Sequence, residues 1–152
     1  MTEEAQVHKI ALFYYFTTMD ESEARQASVR AYQKTKKKIQ KEGLGEASVA
    51  PAIVHSLHSV PLKSKSPFGW FRSRKVELGW LPAEGVDLGG WRSFLKEAEP
   101  DEREAVILSR ILNFTDQDIS IGLGVTEGTV RHRVGRGLRL LGECLSREEK
   151  SG

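Results

Sequence analysis

Residues 115–145 read TDQDISIGLGVTEGTVRHRVGRGLRLLGECL. Thr115 is a good N-cap, with Asp118 three residues on. The helix it opens is short, because Gly122 and Gly124 stop it. Thr126 then caps a further helix with Gly128 and Thr129 in its first turn. At about 100° per residue, Val130, Val134, Leu138, Leu141 and Leu145 share one face, which is the expected core side. Roughly opposite lie His132, Arg136 and Arg139, with Arg131 and Arg133 on the flanks. Two short helices joined by a Gly-containing turn, the second one basic, is the helix-turn-helix pattern.

Upstream, Pro100 suits an early helix position, and Asp101, Glu102 and Glu104 favour a helix N-terminus. Ala105, Leu108, Ile111 and Leu112 give that helix an apolar face, and Asn113 and Phe114 close it. Residues 126–141 hold four arginines against one acid, Glu127. Arginine can fork onto guanine edges or hold phosphates. A basic face can equally be only solvated, with arginine stems covering apolar surface. The capped short helix before it and the turn spacing tip the balance to duplex DNA binding.

The same residues resemble region 4 of bacterial RNA polymerase sigma factors, especially the small extracytoplasmic-function type. Asp118-Ile119-Ser120 stands where that family has an acid-Ile-Ala core. Thr126-Glu127-Gly128-Thr129-Val130 stands for its Ser-Glu-Gly-Thr-Val, and the run from Arg131 to Leu138 for its basic stretch. EREAVILSRILNF matches the helix before. The resemblance implies docking in the major groove of a minus-35-type promoter element. It places Thr126, Glu127, Thr129, Arg131, His132, Arg133, Arg136 and Arg139 at DNA-facing or phosphate-facing positions. It implies double-stranded promoter DNA and core RNA polymerase as partners, and an anti-sigma factor as a further candidate. LuxR-type regulators share the Glu-Gly-Thr-Val turn, but they usually continue with a Lys-x-His run, and the arginines here favour the sigma type. Two departures stand out. Gly122 sits where the family prefers an apolar residue, and Ile121 where it prefers a polar one. Gly135 and Gly137 lie inside the recognition helix, each costing about 1 kcal/mol against Ala, so a softened helix that orders on DNA is expected.

The rest of the chain is less specific. The expected organisation is an all-α protein with an N-terminal helical region over 1–60, an irregular linker over 61–90 and the helix-turn-helix bundle over 91–152. Val7, Ile10, Ala11, Tyr14 and Tyr15 recur at helical spacing. Asp20 starts a second helix with Glu23 as capping-box partner, and Ala24, Ala27, Ala31 and Ile39 form its stripe. Gly43 and Gly45 end it. Residues 30–41 carry six basic side chains and no acid. Residues 49–60 suit a short helix. FYYFTTMDESEARQASVRAYQKTKKK resembles a diverged sigma region 2. Ser28, Val29 and Arg30 replace that family's acidic clamp-binding residues, and Lys36 replaces its usual Trp.

Within 61–90, Phe68, Trp70 and Phe71 alternate with Lys63, Lys65, Arg72, Arg74 and Lys75. Such a mixture suits stacking on single-stranded DNA, but anchoring a linker explains it more simply. Charged residues at 29% and apolar ones at 39% fit a globular domain. The start, MTEEAQVHKIALFYYF, has acids where a secretory signal has a basic region, so a cytoplasmic protein without a membrane partner is expected. Cys144 is the single cysteine, and a buried, inert thiol is expected. His55-x-x-His58 has no third ligand close by, and no phosphate-cradling loop occurs. Neither an enzyme, a metal site nor a cofactor is expected. The readings held open are a promoter-binding initiation factor, a sigma-like interaction module that does not melt promoters, and a LuxR-type regulator.

Overall fold

The computed structural model describes residues 1–60, 62 and 88–151. They are all helical, with no strand among the described residues. Helices α1 (Glu3–Thr18) and α2 (Glu21–Glu42) form a hairpin, and a 3₁₀ turn (Glu46–Ser48) leads into α3 (Val49–Ser59). After the undescribed stretch come α4 (Gly89–Glu97), α5 (Pro100–Val106), α6 (Asp116–Leu123) and α7 (Glu127–Ser151). A π segment (Ile107–Ile111) extends α5. α4 is a fourth C-terminal helix, ahead of the three expected, and starts inside the stretch read as linker. The aromatic and basic residues between Lys63 and Lys75 lie outside the described residues.

Local chemistry sets most boundaries. Asp20 accepts from the Glu23 amide at 2.9 Å and so caps α2. Gly43 closes that helix in the left-handed region at φ 61°, where only glycine pays no steric penalty. At the end of the π segment Asn113 takes φ 58°, and the Phe114 amide reaches back to the Leu108 carbonyl at 3.1 Å. The carbonyl of Leu112 is left over, and the Lys9 ammonium fills it from α1 at 2.5 Å. The same ammonium lies 5.1 Å from the centre of the Phe114 ring.

One buried cluster runs through both halves of the chain, from Ile10, Phe13 and Tyr14 through Ile53 and Val54 to Ile107, Leu108, Ile119 and Val130. α1 packs on α2 on one side and meets α3 and the π segment on others. Phe13 is therefore buried, whereas Val7, on the expected stripe, is 41% exposed. Trp91 of α4 donates its indole N–H to the Phe16 carbonyl at 2.8 Å and stands edge-on to the Phe16 ring. His58 of α3 holds the carboxylate of Glu104 in α5, Nδ1 to Oε1 2.9 Å. Burial pushes the Glu104 carboxyl above the ordinary carboxylate range, and His58 opposes the shift.

The tightest link is at Gly122. A Cβ there would stand 2.5 Å from the Val54 Cβ and 2.8 Å from the Pro51 carbonyl oxygen. The apolar side chain that the sequence resemblance leads one to expect at this position would collide with α3. The neighbouring Ile121 points away and is 59% exposed. Gly122→Ala should therefore lower the unfolding free energy by about 1–3 kcal/mol through overpacking. Adding Val54→Ala should recover part of the loss. Urea unfolding of the two single variants and the double variant measures the coupling, and simple additivity would show that α3 and α6 do not meet there.

Candidate nucleic-acid interface

α6 and α7 are joined by three residues. Thr115 caps α6, its hydroxyl accepting from the Asp118 amide at 3.1 Å. Gly124, at φ 71°, ends it, and the amides of Gly124 and Val125 both turn back to the Ser120 carbonyl. Thr126 then accepts from the Thr129 amide at 3.1 Å and so caps α7. Ile119 and Val130, both fully buried, set the two helices against each other. The Gly-containing turn expected from sequence is thus present, with a cap on each side of it.

The core seam of α7 keeps Val130, Val134, Leu138 and Leu141 of the expected face and departs from it at Leu145. Val130, Val134, Gly137, Leu141 and Cys144 face inward, at alternating spacings of four and three. Leu145 is 48% exposed, whereas Leu138 is half-buried and packs against the core as Leu141 does. A reading of apolar side chains passes over Gly137, yet Gly137 is where α7 comes closest to α5. A Cβ there would collide with Val106 and stand 3.1 Å from the Glu102 carbonyl oxygen. Gly135 and Gly137 nonetheless both lie inside α7, which is one unbroken helix over 25 residues. Cys144 is buried, as expected. Burial raises its thiol pKa, and its Sγ stands 3.0 Å from a carboxylate oxygen of Glu97.

The candidate DNA-facing residues fall into three groups. Thr126, Glu127 and Arg131 are exposed around the first turn of α7, with Thr129 half-buried beside them. The hydroxyls of Thr126 and Thr129 lie 2.9 Å apart. The Arg131 guanidinium is 3.7 Å from Glu127 and 3.9 Å from Asp116 on α6. His132 and Arg139 stand two turns apart on the outward stripe, both exposed. Arg133 and Arg136 turn toward α5. The first lies 3.6 Å from Asp101, and the second donates from Nε to Glu102 at 2.8 Å. Glu102 is only 14% exposed, so Arg136 is more than a solvated side chain. Asp116, Asp101 and Glu102 are the members that sequence reasoning missed. They are legible in sequence as acids at helix starts, but their arginine partners are set by packing. No helix of α1–α3 packs closely on α7, whose inner side is taken by α4, α5 and α6.

A capped short helix, a three-residue turn and a long basic helix whose outer face is open among the described residues define a helix-turn-helix domain. Residues 95–141 match the family model of sigma-70, region 4. This part of the chain is a sigma-70 region 4 domain, as its resemblance in sequence implied. The match covers less than a third of the chain and begins beyond α3. No curated protein and no solved structure matches the chain. Among the described residues no helix is long and apolar enough to cross a membrane.

The two glycines of α7 have opposite surroundings, since a Cβ at Gly135 would meet nothing within 4 Å. Gly135→Ala should raise stability by up to about 1 kcal/mol, the ordinary helix-propensity gain. Gly137→Ala should lower it. Thermal melts of both variants test this, and stabilisation by both would remove the close α5–α7 approach.

Proposed function

We propose that this protein is a sigma-factor-like transcription initiation factor that binds a minus-35-type promoter element through α6 and α7 and associates with core RNA polymerase. The observation that carries the reading is the region 4 match laid over a basic α7 whose outer face no other helix among the described residues covers. Thr126, Glu127, Thr129, Arg131 and His132 lie at the helix start, where recognition helices meet base edges. Arg133, Arg136 and Arg139 are assigned to phosphates or base edges further along. The ion pairs of Arg131 and Arg133 are long and bordered by solvent, so exchanging a carboxylate for a phosphate there costs little. α1–α3 fill the place of a diverged region 2. The domain organisation proposed is an N-terminal region over 1–60, a linker over 61–90 and region 4 over 91–152, in a cytoplasmic protein. An anti-sigma factor remains a proposed partner, and a catalytic role is not proposed.

A second reading is favoured by one observation. Arg133 and Arg136 are already engaged by acids of α5, which suits an interaction module that binds polymerase without reading DNA. Selection of binding sites from random duplexes, with and without core polymerase, separates the two. A promoter-reading domain returns an enriched motif, and Arg136→Ala relaxes it at one or two positions with a loss of about 1–3 kcal/mol on the best site. Arg131→Ala and Arg133→Ala each reduce the slope of log affinity against log salt by about one. Polymerase capture with no enriched motif would leave the interaction module standing.

A further inference from the structure

The six basic side chains of residues 30–41 are sorted by the fold into different surroundings. Lys36 lies 3.1 Å from Glu3, and Lys38 lies 3.0 Å from Glu42. Lys34, Lys37 and Lys41 are all exposed, and none of them forms an ion pair among the described residues. The Lys34 ammonium donates to the Ser59 hydroxyl at 2.7 Å. That bond orients the group and leaves its charge uncancelled. At 100° per residue the three lysines fall within about 60° of arc and span two turns, about 10 Å along the edge of α2.

This edge is joined to the arginine-bearing side of region 4 by a line of polar contacts. Lys34 meets Ser59 at the end of α3. The adjacent His58 meets Glu104 on α5. One turn earlier on α5, Asp101 meets Arg133 of α7. Three polar contacts thus lead from the lysine edge to Arg133. Two packing steps, α2 on α3 and α3 on α6, separate the edge from the helix-turn-helix. At about 8–10 Å per step, the offset is at most about 16–20 Å. That is about five or six base pairs of duplex at 3.4 Å each.

We propose that Lys34, Lys37 and Lys41 form a second, sequence-independent contact to the phosphates of the duplex that flanks the element read by α6 and α7. Lysine suits the task, because it is a flexible point charge that needs no fixed geometry. Duplex DNA carries one charge per about 1.7 Å, so a ladder of about 10 Å always lies beside several phosphates. An acidic protein surface is less well matched, since its carboxylates would need a particular spacing. The proposal rests on the region 4 reading for the position of the duplex.

The test uses the full chain, its Lys34→Gln/Lys37→Gln/Lys41→Gln variant, and two duplexes bearing the selected site. One duplex is trimmed to about one helical turn around the site, and the other extends it by about a turn on each side. The wild type should bind the long duplex more tightly and with a steeper salt slope. The triple variant should lose about 2–3 units of that slope on the long duplex and nothing on the short one. Replacing the same lysines with Arg should preserve the slope, and Lys36→Gln/Lys38→Gln should leave it near that of the wild type. Equal slopes for wild type and triple variant on the long duplex overturn the proposal. So does an equal loss on both duplexes, or an equal loss from the Lys36/Lys38 variant, which would indicate net charge alone. Lysine-dependent binding to polyglutamate with no gain from duplex length would assign the edge to an acidic protein and also overturn it. A length-dependent, lysine-dependent slope without any preference for the selected site would support the lysine contact while the region 4 reading failed.

Discussion

At Gly122 a hydrogen atom stands where any other residue would put carbon, and α3 comes close enough to place Val54 and the Pro51 carbonyl there. The arrangement of the two halves depends on this approach. With it, the first helix of the helix-turn-helix has one side against the N-terminal helices and another against α7. Ile53, Val54 and Ile119 then join one continuous buried cluster. The Lys9 ammonium on the Leu112 carbonyl and the Trp91 indole on the Phe16 carbonyl bind the same halves at two further points. Each satisfies a backbone carbonyl at a helix end, a group that is costly to bury unpaired.

A second close approach, at Gly137, sets the depth at which α7 sits on α5. It brings the start of α5, with Asp101 and Glu102, beside Arg133 and Arg136. Acids at this helix start serve two purposes. They lie in the favourable field of the helix N-terminus, and they pair with two arginines of α7. Exposed pairs of this kind contribute about 0–1 kcal/mol, so they can orient a guanidinium and still release it to a phosphate. Glu102 is the exception in degree, because it is nearly buried and loses more when its arginine leaves.

The open face of α7 follows from the same geometry. α4, α5 and α6 take up its inner side, and α1–α3 are held away by their attachment to α6. Exposed Gly135 and Gly142 leave the outer stripe low between His132, Arg139 and Ser146. A helix with a low outer surface and long basic side chains beside it suits a groove lined by phosphates. The N-terminal helices contribute charge as well as apolar surface, because α2 turns Lys34, Lys37 and Lys41 outward while Glu3 and Glu42 pair with Lys36 and Lys38.

Sequence alone determined the features whose causes act within a few residues. The caps at Asp20, Thr115 and Thr126, the left-handed closures at Gly43 and Gly124, the helical spacing of Ala24, Ala27 and Ala31, and the short-helix, turn, basic-helix order are all local. Hydrogen bonds to nearby amides and steric limits on φ write them into neighbouring positions. The candidate DNA-facing residues were legible for the same reason, since a helical period assigns each a side. Tertiary structure decided what the glycines are for. Gly122 and Gly137 register in sequence as breaks or weak points, because a missing side chain is informative only once the group that approaches it is known. It also decided which charges are spoken for. Arg136 meets an acid 34 residues away and Lys9 a carbonyl 103 residues away, separations over which no local pattern carries information. The place of Gly137 and Cys144 in the α7 seam, where the expected face had Leu145, has the same origin. Side-chain hydropathy ranks leucine above glycine, but the space between two helices is filled by whatever shape lets them come together.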